Sequence, residues 1–265
     1  MMHINTFDHY QTLNSPIHRL DPRVKVVITV VFILSNALIP EGAWLAFAAA
    51  WLLVLAISQM ARLSPKFLLT RSLVALPFAL AAVTAIFSVA GNPIFSLKIG
   101  PWLLTATDAG LVRFASIMLR SWISIQAAIV LTATTQFPDL IHAFRHLKVP
   151  DILVSTVSFM YRYLFVLSDE TLRLIRARES RSARLTPGGK SGGALLWRAK
   201  VAGNMAGQLF LRSYERSERV YNAMLARGYH GTLLTLNPHV MRPRDWLWGA
   251  LALSLILAIQ LLGRI

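Results

Sequence analysis

The chain has 265 residues, of which 55% are hydrophobic and only 15% are charged, and it contains no cysteine. A soluble domain usually carries about 25% charged residues, and a soluble chain of this length could not bury so much apolar surface, so a soluble globular protein is excluded. The lack of cysteine excludes disulfides, thiolate metal ligands and cysteine nucleophiles. The formal net charge of +15 is typical of basic cytoplasmic loops in a membrane protein, and is also compatible with a surface that binds anionic lipid or nucleic acid.

Long apolar runs predict helices that cross a membrane, since each run approaches the roughly 20 residues that a bilayer requires. The runs are Val24–Pro40, Ala43–Met60, Phe67–Ala90, Phe114–Thr134 and Trp246–Leu262. Pro77 predicts a kink in the third run. The segment from Gly91 to Asp108, with its glycines and prolines, predicts an outer loop. Arg113 and Arg120 lie on one face of the fourth run, and Arg120 is expected at membrane depth.

Two basic segments predict the cytoplasmic side. One is the polar segment Phe137–Pro150, and the other is Arg173–Arg244, which holds 14 of the 27 basic residues but only three acidic ones. The apolar stretch Ile152–Leu167 lies between them. A single crossing cannot connect two segments on the same side, so this stretch predicts a re-entrant or interfacial helix.

The predicted fold is an all-α polytopic membrane protein with about five transmembrane helices, or six if Ile152–Leu167 crosses, plus a cytoplasmic coupling-helix domain. Residues 1–23 form an N-terminal cytoplasmic arm that lacks the apolar core of a cleavable signal peptide. Residues 24–134 hold transmembrane helices one to four, residues 135–244 form the cytoplasmic or interfacial coupling-helix domain, and residues 245–265 form the final transmembrane helix.

The coupling-helix domain contains two predicted helices with similar ends. Tyr163–Arg184 shows helical periodicity up to a Pro-Gly-Gly stop, and Leu195–Arg227 is followed by Gly228 at the position of a C-cap glycine. An apolar stripe of Phe210, Tyr214, Tyr221, Met224 and Leu225 runs along the second helix. An amphipathic helix on the membrane surface explains the stripe. It explains less well why the sequence Ala-Arg recurs near both helix ends, at Ala177-Arg178 and Ala226-Arg227, a combination that would allow close docking on a partner carboxylate, so both interpretations stay open.

Two weak signals for chemistry are discounted. Gly188-Gly189-Lys190-Ser191 resembles the end of a phosphate-binding loop, but Arg184 stands where that loop needs glycine. His142 and His146 have helical spacing that suits a metal, but their neighbours are basic rather than acidic. The sequence therefore predicts no catalytic residue, no cofactor site and no metal site.

Three segments resemble the transmembrane T components of energy-coupling factor transporters, in the cobalt and nickel type of the CbiQ family. Ser15–Lys25 resembles the segment that leads into their first membrane helix. Glu170–Arg181 resembles their first arginine motif, with Glu179 where many members have glycine, and Leu211–Tyr229 resembles the second motif in its cobalt-type form. The resemblance covers nearly the whole chain in order.

The resemblance implies a non-catalytic scaffold in the inner membrane of a bacterium. Its partners would be two ATP-binding cassette ATPase subunits, a membrane S component that binds the substrate, membrane lipid and, in some systems, a small accessory membrane subunit, but no nucleic acid. The implied cargo is cobalt or nickel, held by the S component. The implied ATPase-docking residues are Ala177, Arg178, Glu179, Ser180, Arg181, Ala226, Arg227 and Gly228. An intramembrane enzyme, and a membrane protein with a basic domain that binds lipid or nucleic acid, remain the alternatives.

Overall fold

The structure is a computed structural model that describes residues 10–75, 77, 81–99, 102–181, 194–231 and 241–264. The elements are, in chain order, α1 (Pro22–Ala37), α2 (Trp44–Met60), α3 (Pro65–Ser72), a 3-10 turn (Leu73–Ala75), α4 (Thr84–Ser88), β1 (Pro93–Ile99), β2 (Trp102–Thr107), α5 (Asp108–Thr134), α6 (Phe137–His146), α7 (Asp151–Arg181), α8 (Leu195–Ala226) and α9 (Pro243–Leu262). They fall into two compact units, one within Leu147–Asn237 and the other within Asn5–His146 and Pro238–Ile265. The predicted all-α membrane fold is confirmed, with one small hairpin added.

The larger unit is built on four apolar helices that pack against one another: α1, α2, α5 and α9. Their shared core includes Phe32, Phe47, Ile123, Val130 and Ile256. Helix α1 begins where the sequence provides both start signals, because Pro22 occupies its first turn and the Asp21 carboxylate accepts a hydrogen bond from the Arg23 amide at 2.9 Å. The positions of these helices agree with four of the five predicted apolar runs.

Buried polar side chains tie these helices together. The Asn36 amide of α1 donates to the Arg120 carbonyl oxygen at 3.0 Å and to the Ser124 hydroxyl at 2.9 Å, both on α5. The Arg120 guanidinium in turn donates to the Ile39 carbonyl, just beyond the end of α1. A cation at a helix C-terminus is favourable because the free carbonyls there carry partial negative charge. Arg120 therefore caps α1, and Arg113 forms a more exposed ion pair with Glu41 at 3.4 Å.

The segment before α1 is anchored to the end of α5. The backbone amide of Gln11 donates to the Ala133 carbonyl at 3.1 Å, and the Lys25 ammonium donates to the Thr134 carbonyl at 3.0 Å. His18 links the segment to itself, since its Nε2 donates to the Gln11 carbonyl at 3.1 Å while its Nδ1 accepts from the Ser15 hydroxyl at 2.7 Å. The predicted cytoplasmic arm is thus held against the helices over its described part.

The predicted third span differs from the structure. Its described residues form short pieces, α3, the 3-10 turn and α4, rather than one long helix. Residues 76 and 78–80 lie outside the described part of the chain, so the kink at Pro77 stays a prediction. The predicted outer loop after it contains an antiparallel hairpin of β1 and β2. Gly110 lets α4 approach α5 closely, because a Cβ atom there would lie 2.4 Å from the Ile86 carbonyl oxygen.

The smaller unit consists of the two long helices α7 and α8, which contact each other. Helix α7 is continuous over 31 residues, so Ile152–Leu167 and the following charged segment form one helix rather than two. Among the described helices, α5, α7 and α9 are long and apolar enough to cross a membrane, and α2 is apolar but shorter. Helix α7 as a whole therefore has the length, and in its more apolar part the composition, of a span, which agrees with the sixth crossing that the sequence left open.

Candidate functional site

The first predicted docking motif forms the last turns of α7. Ala177, Glu179, Ser180 and Arg181 are exposed there, and Arg178 is half-buried. The Ser180 hydroxyl donates to the Ala177 carbonyl at 2.9 Å, a hydrogen bond from the side chain back to the preceding turn of its own helix. The motif is therefore presented on a regular helix, with Ala177, Glu179, Ser180 and Arg181 open to solvent and Arg178 partly covered. The predicted stop signal at residues 186–189 lies outside the described residues.

The second motif forms the end of α8, and its geometry matches the sequence prediction. Gly228 has a φ of +78°, and its amide donates to the Leu225 carbonyl at 2.9 Å, while the Tyr229 amide donates to the Met224 carbonyl at 3.0 Å. These two bonds define a Schellman motif, in which glycine supplies the left-handed residue. The arrangement leaves Arg227 exposed at the negative end of the helix dipole. The predicted C-cap glycine is confirmed.

An ion-pair cluster joins the two motif helices. Glu170 of α7 accepts from Arg216 of α8 at 3.1 Å and from Arg212 at 3.5 Å. The Glu170 side chain is 17% exposed, so water screens these pairs less than it screens a pair on an open surface. Sequence reasoning placed Glu170 at the start of the first motif but gave it no role. The sequence signal for such a cluster is the spacing of Arg212 and Arg216, because two residues four apart share one helix face and can contact a single carboxylate.

The apolar stripe predicted on α8 is exposed. Phe210, Tyr214, Tyr221 and Leu225 are between 47% and 69% exposed, and Met224 is half-buried. No residue of α8 is buried within the described part of the chain. A contiguous apolar surface of this kind on a helix marks a site for a protein partner or a membrane. The stripe leads to the Arg227 end, so the apolar and cationic features belong to one surface.

Of the two discounted signals, the structure describes the histidine pair but not the phosphate-loop-like sequence. His142 and His146 meet edge to face on α6 with ring centroids 4.7 Å apart, and His142 is buried. Burial lowers the pKa of His146, and the nearby positive charge of Arg23 lowers it further. Among the described residues, no group of three or more His, Cys, Asp and Glu could hold a metal ion. The phosphate-loop-like sequence at Gly188–Ser191 lies outside the described residues.

Comparison with known proteins decides between the possible classes. A sequence model of the CbiQ family, described as cobalt transport proteins, matches residues 13–240. The chain belongs to this family. It is similar to the energy-coupling factor transporter transmembrane protein EcfT of Thermosediminibacter oceani, with 29% identity over 85% of this chain and 84% of the relative.

Two further relatives support the same family. The EcfT protein of Macrococcus caseolyticus is 29% identical over 94% of this chain and 93% of its own length. The cobalt transport protein CbiQ of Salmonella typhimurium is 27% identical over 59% of this chain and 69% of its own length. The family member described here is therefore a multi-pass membrane protein and a transmembrane component of the energy-coupling factor type.

Proposed function

We propose that this chain couples two cytoplasmic ATPase subunits to a membrane S component, and that the ends of α7 and α8 are its docking sites for the ATPases. The observation that supports this best is the pair of long helices joined through Glu170, each presenting an Ala-Arg sequence near its C-terminal end. The family membership and the relatives named as transmembrane components of such transporters give the proposal its context. The chain itself has a non-catalytic role.

The docking chemistry follows from the residue types. A guanidinium group can bind a carboxylate through two parallel hydrogen bonds, and an alanine next to the arginine allows the partner backbone to come close. The exposed stripe of Phe210, Tyr214 and Tyr221 supplies apolar area next to the Arg227 end of α8. The end of α8 thus combines a strong polar anchor with apolar area whose removal from water would stabilise a complex.

The helices also suit the transmission of motion. With 31 and 32 residues, α7 and α8 are each about 46–48 Å long at 1.5 Å per residue. The Glu170 ion pairs hold them to each other, so force applied at one end is carried along a stiff pair rather than lost in a loop. We propose that this movement reorients the S component, which binds the cargo. The family description points to cobalt, with nickel as the related alternative.

The proposed membrane arrangement keeps residues 1–23 and 135–244 in the cytoplasm, with the remaining segments at 24–134 and 245–265 crossing the membrane. Arg162, exposed in the middle of α7, and the charged second half of that helix support an interfacial position for its apolar half. Single cysteines at Lys148 and Leu195, on either side of α7, test this arrangement. Both should react with an impermeant thiol reagent only after the membrane is opened, and reaction of just one of them in intact cells would show that α7 crosses.

The docking proposal is tested with matched arginine substitutions in the assembled transporter. Arg227→Ala and Arg178→Ala should weaken retention of the ATPase subunits or uncouple ATP hydrolysis from metal uptake, while the protein remains inserted. Loss of one partner from a buried charged pair costs about 3–5 kcal/mol, whereas loss of an exposed pair costs less than about 1 kcal/mol. Arg219→Ala and Arg176→Ala are the controls on the same helices and should have small effects.

The opposite result would replace the proposal with a simpler one. If all four substitutions caused equal, small losses that disappeared at high salt, the arginines would act only as diffuse surface charge. The α7–α8 pair would then be a basic membrane-surface element, because screening by salt is the signature of such contacts.

A further inference from the structure

The helices of the larger unit line a partly open apolar cavity of about 260 Å³. Helices α1, α2, α5 and α9 all contribute to its walls, through side chains such as Phe32, Val54, Val130 and Leu255. Almost all of its lining is hydrocarbon. A ligand that fills this space must therefore be apolar as well, because an uncompensated polar group would lose its hydrogen bonds to water.

The cavity is elongated along the helices. Its wall on α9 extends from Trp248 to Ile256, which is about 12 Å at 1.5 Å per residue. One end is marked by residues at helix ends: Lys25 in the first turn of α1, Met60 at the end of α2 and Thr134 at the end of α5. An elongated apolar space that lies along the helices of a membrane protein has the shape of a lipid acyl chain.

A second, polar cavity of about 570 Å³ adjoins that same end. The two cavities share Leu20, Lys25 and Thr134 in their linings. The charged residues of the polar cavity carry both signs, and they are Arg19, Lys25 and Arg242 against Asp21, Asp139 and Asp245. A ligand that occupies both cavities would therefore have an apolar tail and a head group that can contact charges of both signs.

Two groups at the shared end have hydrogen-bonding capacity suited to such a head group. The Asp21 side chain is buried, and its Oδ2 accepts no hydrogen bond among the described residues, although burial makes an unsatisfied carboxylate oxygen costly. The Lys25 ammonium donates to the carbonyl groups of Thr134 and His18 and has three protons in all. Asp21 can accept a hydrogen bond from a ligand ammonium, and the remaining Lys25 proton can be donated to a ligand phosphate.

We infer that the two cavities bind one phospholipid with an ethanolamine head group. One acyl chain occupies the apolar cavity, the phosphate lies near Lys25, Arg19 and Arg242, and the ammonium lies near Asp21. The Asp21 Oδ1 already lies 3.8 Å from the Arg23 Nε and accepts from the Arg23 amide, so the ligand ammonium is assigned to Oδ2. A phosphatidylglycerol has no ammonium to place there, and a phosphatidylcholine carries a cation without N–H donors. The bound lipid would fill the interior of the bundle and fix the segment before α1 against α9.

Lipid binding can be measured on the wild-type full chain, purified in detergent and stripped of lipid, by native mass spectrometry. Phosphatidylethanolamine, phosphatidylcholine and phosphatidylglycerol with identical acyl chains are titrated separately. The ethanolamine lipid should bind at least about tenfold more tightly than either of the others, which corresponds to 1.4 kcal/mol. Equal affinities for all three, or tighter binding of the glycerol lipid, would overturn the head-group assignment and with it the proposal.

A pair of matched substitutions on α9 tests the acyl-chain position. Ala252 lines the apolar cavity, whereas Ala250 is exposed and lies outside its lining. Ala252→Phe fills the cavity and should reduce binding of the ethanolamine lipid by about tenfold or more, while Ala250→Phe should leave it unchanged. Equal binding by both variants would contradict the site. If Ala252→Phe fails to fold, the head-group comparison on the wild-type chain still decides the question.

Discussion

Phe47 on α2 and Phe210 on α8 are aromatic residues on long helices, yet the first is 2% exposed and the second 69%. The same contrast extends to the surrounding structure. The bundle of α1, α2, α5 and α9 has an apolar core and buried polar links between helices, whereas α7 and α8 meet through Glu170 and leave most of their side chains in contact with solvent. The bundle has an apolar core of its own, whereas the helix pair exposes the kind of apolar surface that marks a site for a protein partner or a membrane.

The largest expected effect is the difference in stability between a phenylalanine-to-alanine substitution in the bundle and one on α8. Phe47→Ala should destabilise the detergent-solubilised protein by about 3–5 kcal/mol, because it leaves a cavity in the core. Phe210→Ala should change the stability of the free chain by no more than about 0.5 kcal/mol, since the side chain is exposed. Denaturant unfolding of both variants measures the difference. Similar losses in both would show that α8 is packed into the protein in the absence of any partner.

A smaller effect is expected at the link between α7 and α8. Glu170→Gln removes the negative charge from both ion pairs and should cost about 1 kcal/mol, because the arginine partners are partly exposed. A double-mutant cycle should give a larger coupling of Glu170 with Arg216, at 3.1 Å, than with Arg212, at 3.5 Å. Faster proteolysis of α8 in the Glu170→Gln protein is the accessible readout. No coupling with either arginine would remove the basis for treating the two helices as a stiff pair.

Two glycines, one within α8 and one just after it, are expected to give effects of opposite sign. Gly228 adopts the left-handed conformation, so Gly228→Ala should destabilise the end of α8 by about 1 kcal/mol. Gly207 lies within the helix with open space around it, so Gly207→Ala should stabilise α8 by about 0.5–1 kcal/mol. Hydrogen exchange of the amides near each position checks both signs. Slower exchange after Gly228→Ala would contradict the Schellman geometry.

The smallest expected effect is a pH dependence in the segment before α1. Burial lowers the pKa of His18 below its usual value of 6.5. The unfolded chain therefore binds a proton more readily than the folded protein, and stability rises with pH through this range. The destabilisation caused by the lowered pKa of His18 is complete below the folded-state pKa and disappears above the unfolded-state pKa. His18→Gln keeps a donor and an acceptor but cannot titrate, so its unfolding midpoint should vary less between about pH 5 and pH 8; an unchanged pH slope would exclude His18 as the cause.

The sequence predicted the features that depend on local pattern. Hydropathy located α1, α2, α5 and α9, and the position of Gly228 after an apolar helix predicted the end of α8. Both signals are local, because spanning helices satisfy their own backbone hydrogen bonds and C-cap glycines lie next to the helix that they end.

Features that depend on contacts between distant segments were missed. The ion pairs of Glu170 with Arg212 and Arg216 join residues that are more than 40 positions apart. Helical spacing places the two arginines on one face of α8, but it does not identify Glu170 as their partner. The β1–β2 hairpin was missed for another reason. The glycines and prolines of this segment predict a loop, but Gly100-Pro101 separates two runs rich in apolar and β-branched residues, a pattern that predicts a hairpin.

The most direct test of the proposed docking surface uses the natural lack of cysteine in the chain. Single cysteines at Ala177 and Ala226, both exposed, and a control cysteine at the exposed Gln208 on α8 would each be labelled with a maleimide, with and without the ATPase subunits bound. We expect the ATPase subunits to slow labelling at positions 177 and 226 but not at position 208. Unchanged labelling at both motif positions in an assembled, active transporter would contradict the account.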